Sequence, residues 1–215
     1  DEFYNAEKKF WNAAIPEIET CRDAFTQAML ESPFRPDFEK EYGTLMFVNA
    51  ELARKAFSPE IVPEMQQEND LTQEYEKLLA SAQIPFEGGV YTLSQLSPFK
   101  TDADDARRLA AWQAEGRWYK ENQPAMDDIY DKLGHLRDAM GRKLGYDGYT
   151  TLGYARMQRN CYTKEDIEKF RAAVVKYLVP LADRIYRAQA QRLGVQYPLS
   201  FADEALAFRS GNPRP

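Results

Sequence analysis

Four tyrosines and two arginines sit within one short stretch: Tyr146, Tyr149, Tyr154 and Tyr162 interleave with Arg156 and Arg159. Aromatic rings offer broad contact area, and guanidinium forks suit carboxylate or carbonyl oxygens, which is the chemistry of gripping a peptide. Tyr154, Arg156, Arg159 and Tyr162 are therefore candidate substrate-binding residues. The same residues also admit a plainer use, with tyrosines covering a helix junction and arginines satisfying carbonyls at helix ends.

The other chemically suggestive groups converge less well. His135, the only histidine, has Asp131 four residues before it and Asp138 three after, all on one helix face. That face lies opposite Leu133, Leu136 and Met140, so a solvated histidine with carboxylate neighbours is expected rather than a metal site. Asp203 and Glu204 are adjacent, and adjacency does not aim two carboxyls at one substrate. Trp112, Trp118 and Tyr119 read as core or lobe-interface surface. Cys21 and Cys161 lie far apart without a CxxC pair, as two thiols in a reducing, cytoplasmic setting would. No catalytic residue and no metal ligand set is assigned from these patterns.

The elements that must position these groups are helical. The chain has 215 residues, 44% hydrophobic and 29% charged, with a net charge of −6. That is a soluble, globular balance with no electrostatic draw toward nucleic acid or an anionic membrane. No apolar run approaches the ~18 residues of a membrane span. Apolar spacing predicts a long helix from Phe3 to Leu30, kinked at Pro16 and stopped at Ser32-Pro33. A second helix from Pro36 carries the stripe Phe38, Tyr42, Leu45, Asn49, Leu52 and Ala56. Ser58-Pro59-Glu60 and Pro63 start a third, with a face at Leu71, Tyr75, Leu78, Leu79 and Ala82.

At Ile84 the pattern alternates around Gly88-Gly89 and predicts a β hairpin within 84–93. SQLSP reads as a turn. Thr101 with Asp104 opens a helix that Pro124 interrupts. Met126, Ile129, Leu133, Leu136, Met140 and Leu144 form a further stripe ending at Gly145. A connector from Tyr146 to Tyr162 leads to the longest helix, capped by Thr163 and bent at Pro180. Its apolar residues fall at Ile167, Phe170, Val174, Leu178, Leu181 and Ile185. Gly194 ends it, YPLSFADEALAF suggests an extended segment, and SGNPRP a turn. The fold class is mainly α: a helical lobe of long kinked amphipathic helices with one small hairpin, residues 1–215 forming a single lobe. No repeat, phosphate loop or nucleophile elbow is present.

The run LGYDGYTTLGYARMQRNCYTKEDIEKFRAAVVKYLVPLADRIYRAQAQRLG resembles the M3 family of zinc peptidases, in its oligoendopeptidase F branch. DEFYNAEKKF, LLASAQIPFEGGVYTLSQLSPF and SFADEALAFRSGNPRP are similar to the same branch. The resemblance implies a wall of a deep channel that admits short peptides. It further implies a zinc-activated water in the parent enzyme, with the metal on a His-Glu-x-x-His helix. No such motif stands in this chain. The resemblance therefore implies an internal, non-catalytic piece that binds no zinc itself and has the missing catalytic half as a partner. A helical scaffold or interaction domain without chemistry is the competing reading.

Overall fold

A computed structural model describes residues 2–212. Asp1 and Pro213 to Pro215, the last part of the turn expected at 210–215, lie outside the described residues. The structure is mainly α, with one two-stranded sheet. It groups into two units: Asp1–Tyr75 with Asp127–Thr163, and Glu76–Met126 with Lys164–Pro215. No described helix is long and apolar enough to cross a membrane.

In the first unit, α1 (Glu2–Leu30) runs unbroken through Pro16. The helix expected from Pro36 to Ala56 is instead two, α2 (Arg35–Tyr42) and α3 (Leu45–Lys55). Gly43 takes φ +83 between them and donates its N–H to the Glu39 carbonyl. A left-handed glycine closes one helix and lets the next start on a new phase. The buried residues of α3 are accordingly Phe47 and Ala50, while Tyr42 and Leu45 of the expected stripe stay exposed.

Ser58 accepts a hydrogen bond from the Glu60 N–H (3.3 Å), starting a 3-10 turn at Pro59–Ile61 that leads into α4 (Val62–Ala80). Ile61, Met140 and Leu152 form the core here, with Met65, Leu144, Tyr146 and Tyr149 packed on it. α3 packs against both α1 and α7 (Tyr149–Arg156). α7 occupies half of the stretch read as a plain connector.

α6 (Asp105–Lys143) passes straight through Pro124, where an interruption is expected from the sequence. Pro124 and its neighbours Lys120, Glu121 and Gln123 are exposed, so water can serve the carbonyl that the proline cannot bond. Nor does Thr101 open this helix. Thr101 belongs to a 3-10 turn, and Asp104 is the cap, accepting the Arg107 N–H at 2.9 Å. At the other end Gly145 (φ +83) and Tyr146 return their N–H groups to Arg142 and Gly141, the expected left-handed cap.

The second unit holds the hairpin. β1 (Ile84–Phe86) pairs antiparallel with β2 (Gly89–Tyr91), Ile84 opposite Tyr91 and Phe86 opposite Gly89. The two turn residues are Glu87 and Gly88, both with positive φ, one residue earlier than expected. A two-residue turn of this hand matches the strand twist. Ile84, Phe86, Leu96, Ala111, Ala114 and Trp118 form the core around the hairpin.

SQLSP is not a bare turn: Thr92 and Gln95 make a reciprocal capping box for α5 (Leu93–Leu96). The longest expected helix is present in three parts: α8 (Lys164–Ala173), a π turn at Val174–Leu178, and α9 (Val179–Leu193). The π turn lies where the Pro180 ring would clash with the preceding turn, and the helical run continues past it without ending. Gly194 (φ +68) caps it. The segment expected to be extended contains α10 (Phe201–Glu204), with Ser200 accepting the Asp203 N–H at 3.2 Å.

Candidate functional site

Two glycines bring α7 into place. A Cβ on Gly141 would lie 2.4 Å from the Gly148 carbonyl oxygen, so the end of α6 and the start of α7 touch backbone to backbone. Tyr146 fixes the same corner by donating its hydroxyl to the Lys55 carbonyl at 2.8 Å.

Arg156, at the last turn of α7, then reaches α4. Its Nη2 donates to Glu68 Oε2 at 2.8 Å and its Nη1 to Oε1 at 3.2 Å. Arg137 Nε of α6 donates to the same Oε1 at 2.7 Å. Glu68 is 8% exposed. Burial pushes its carboxyl up, but hydrogen bonds and charge from Arg156 and then Arg137 outweigh that and hold the pKa below its ordinary value. Arg137 also lies over the Tyr149 ring at 5.6 Å, and Arg156 donates to the Tyr149 hydroxyl at 3.4 Å.

Beside this cluster is a cavity of about 330 Å3, walled by Trp11, Asn12 and Pro16 of α1, Gln66 and Asn69 of α4, and by Glu68 and Arg156. Asn12 is tied down at three points. It donates to Asp70 (2.9 Å), accepts from Asn69 (2.8 Å), and its carbonyl accepts from Gln66 (2.8 Å). The site thus has an aromatic wall, fixed amides and a charge pair, a makeup suited to a polar, chain-like ligand.

The four residues singled out in the sequence separate into two places. Arg156 faces the cavity. Tyr154, Arg159 and Tyr162 form a stack of their own, with the Arg159 guanidinium 5.0 Å from the Tyr154 ring and 5.8 Å from the Tyr162 ring. Gln158, with φ +52, turns the chain between these groups, and Asn160 bonds to Asn49 of α3.

Glu68, Arg137, Trp11 and Asn12 escaped sequence reasoning. Glu68 did leave a signal: Ile61, Met65, Glu68 and Thr72 recur at helical spacing, which puts a charge on an otherwise inward stripe.

The remaining candidates have structural partners. The His135 side chain is 80% exposed, with Nδ1 2.9 Å from the Asp131 carbonyl and 3.5 Å from its carboxylate. Asp138 is engaged by Arg142 at 2.7 Å. Asp203 binds Arg108 at 2.9 Å, and Glu204 accepts from Tyr186 at 2.7 Å. Trp118 lies in the core, and Trp112 donates to the Lys100 carbonyl at 3.2 Å. Among the described residues no three His, Cys, Asp or Glu side chains converge as a metal site would require. The described residues therefore offer no donor set that fits zinc.

A family model for the peptidase M3 N-terminal domain matches residues 1–57. Solved structures extend that likeness over 99% of the chain. One described as an oligoendopeptidase F is 39% identical, with a TM-score of 0.94. PZ peptidase A, solved with an inhibitor, is 41% identical with a TM-score of 0.93. The chain belongs to the M3 peptidase family. Its place is in the oligoendopeptidase F branch, as a structure described as such an enzyme from Bacillus anthracis str. Ames, 38% identical with a TM-score of 0.92, also indicates. The chain spans 38%, 38% and 39% of the length of these three proteins. Comparison with curated proteins returned no match.

Proposed function

We propose that the full protein is a cytoplasmic zinc metallopeptidase that hydrolyses short peptides, and that residues 1–215 serve as one non-catalytic lobe lining its channel. The observation that carries this is the 41% identity to the inhibitor-bound PZ peptidase A, sustained over 99% of the chain. The metal would be held by groups outside these residues, so no chemical step is assigned to them.

What this chain contributes is grip. Arg159, stacked between Tyr154 and Tyr162, keeps its N–H edge for a peptide carboxylate or carbonyl. Arg156 extends the same role to the cavity, although its fork is already shared with Glu68. The test uses the full-length protein with quenched short peptides. Arg159→Ala should raise KM several-fold and leave kcat near wild type, the mark of lost uniform binding. Unchanged kinetics would remove Arg159 from substrate binding. Failure of the wild type to cleave any short peptide, with zinc supplied, would favour the scaffold reading.

A further inference from the structure

Most of the strongest amphipathic stripe in the sequence is exposed in the described structure, with only Ile167 and Val174 half-buried. Phe170, Leu178, Leu181 and Ile185 are 65%, 54%, 43% and 54% exposed, and Val175 and Tyr177 beside them are 65% and 63% exposed. From Ile167 to Ile185 the stripe runs for about 27 Å at 1.5 Å per residue. A core-facing pattern left open over that length is an interface without its partner.

The accessible area of the whole chain is in keeping with missing partner surface. A globule of 24.8 kDa exposes about 10,000 Å2, and two separate globules of half that mass about 12,300 Å2 together. This chain exposes 14859 Å2. The excess over even two independent globules is about 2,600 Å2, roughly three times the ~800 Å2 that one partner buries in a standard complex. The excess is spread over the chain, exposed apolar residues of α1 such as Phe10 (59%) and Phe25 (70%) included.

We infer that the apolar face of α8 and α9 is the docking surface for the remainder of the same polypeptide, which presents a complementary apolar and uncharged face. This rests on the peptidase reading above. Each matched M3 structure carries this region as 38–39% of its chain, so more than half of the polypeptide lies elsewhere to supply that face. Residues 164–193 interleave seven basic with four acidic residues, with Lys169 3.5 Å from Asp166, Lys164 3.8 Å from Glu168 and Arg187 2.7 Å from Asp183. The basic residues stand singly, without the cluster that holds an anionic bilayer.

The experiment places a reporter thiol at position 181 (Leu181→Cys, with Cys21→Ser and Cys161→Ser) in both the 215-residue chain and the full-length protein. A maleimide dye should label the short chain rapidly and the full-length protein at least about tenfold more slowly, the protection a packed seam gives. Leu178→Asp with Leu181→Asp should leave the melting temperature of the short chain unchanged and lower that of the full-length protein. Equal labelling in the two overturns the proposal. So does concentration-dependent dimerisation of the full-length protein that alone protects the reporter thiol, or protection that appears only with phosphatidylcholine–phosphatidylglycerol vesicles. Neither readout uses peptide cleavage. A protected reporter in a protein that cleaves nothing sinks the peptidase reading and spares the seam, and an active enzyme whose reporter stays open does the reverse.

Discussion

Two buried charge clusters, one in each unit, use the same groups in opposite proportions. In the first unit one carboxylate, Glu68, is shared by Arg137 and Arg156, and a cavity opens beside it. In the second, one guanidinium, Arg108, is 1% exposed and has a partner on every nitrogen. Its Nε donates to the Ala202 carbonyl, Nη1 to the Asp102 carbonyl, and Nη2 to Asp105 and Asp203, all at 2.9 Å. Arg108 therefore locks α10 onto α6. The arginines around Glu68 keep partly exposed forks, 38% for Arg137 and 31% for Arg156, so that cluster can still meet a ligand. A saturated cluster holds a fold together, and an unsaturated one beside a void is where binding can be sought.

The largest effect should come from the saturated cluster. Arg108→Met removes the guanidinium that Asp203 and the Ala202 and Asp102 carbonyls share, and should cost about 3 kcal/mol by urea denaturation. A loss below ~1 kcal/mol would show that the lock is dispensable. Glu68→Gln should cost less, about 2 kcal/mol, because both arginines can turn toward water. A larger loss than for Arg108→Met would reverse the comparison.

Acid should separate the clusters further. Glu68 lies below its ordinary 4.5. Asp203 lies below its ordinary 3.8: burial raises it, and the hydrogen bonds from Ser200 and then Arg108 lower it by more. A carboxyl held down in the folded state stabilises fully above its unfolded value and loses that contribution as pH falls through the folded one. The gap between wild type and Glu68→Gln should thus be constant above pH 4.5 and close below it, whereas an Asp203→Asn gap should begin closing only below 3.8. Melting curves stepped from pH 7 to pH 3 read both; a gap that widens in acid would contradict the assignment. The smallest effect belongs to Arg159→Ala, held only between two rings, which should change stability by less than ~0.5 kcal/mol. A clear drop in melting temperature would make its role structural.

What the sequence disclosed follows from how far each signal travels along the chain. Gly145 was legible as a left-handed cap and Gly194 as a helix stop because the requirement is local, and the hairpin because two alternating arms flank a glycine pair. Pro124 misled because its cost is small where water replaces the lost bond, and nothing local says that the face is wet. Thr101 lost to Asp104 because two acceptors compete for one helix start and only the preceding turn decides between them. Arg108 was invisible: in DDARRLAAW it reads as one more charge on a solvated face. Its burial depends on a carbonyl and a carboxylate 94 and 95 residues downstream. Glu68 lay between these cases, its place on an inward stripe legible but its arginine partners not. Of the peptide-gripping candidates, the tyrosine–arginine stack around Arg159 was visible as composition, but the separation of Arg156 from it depends on the chain reversal at Gln158.

The π turn at Val174–Leu178 has a geometric consequence for whatever lies over the helix. A π turn lodges about one extra residue in an α-helix, which at 3.6 residues per turn advances the azimuth by about 100°. Ile167 and Phe170 therefore point along one bearing, and Leu181 and Ile185 along another about a quarter-turn away. On a helical wheel drawn from sequence they align as one straight ridge; on the molecule the ridge winds like a screw thread. A planar body laid along one half would stand clear of the other, so only a matching surface that itself curves can mate with both. Deleting one residue within 174–178 would unwind the thread into a straight line and put every such mate out of register at once.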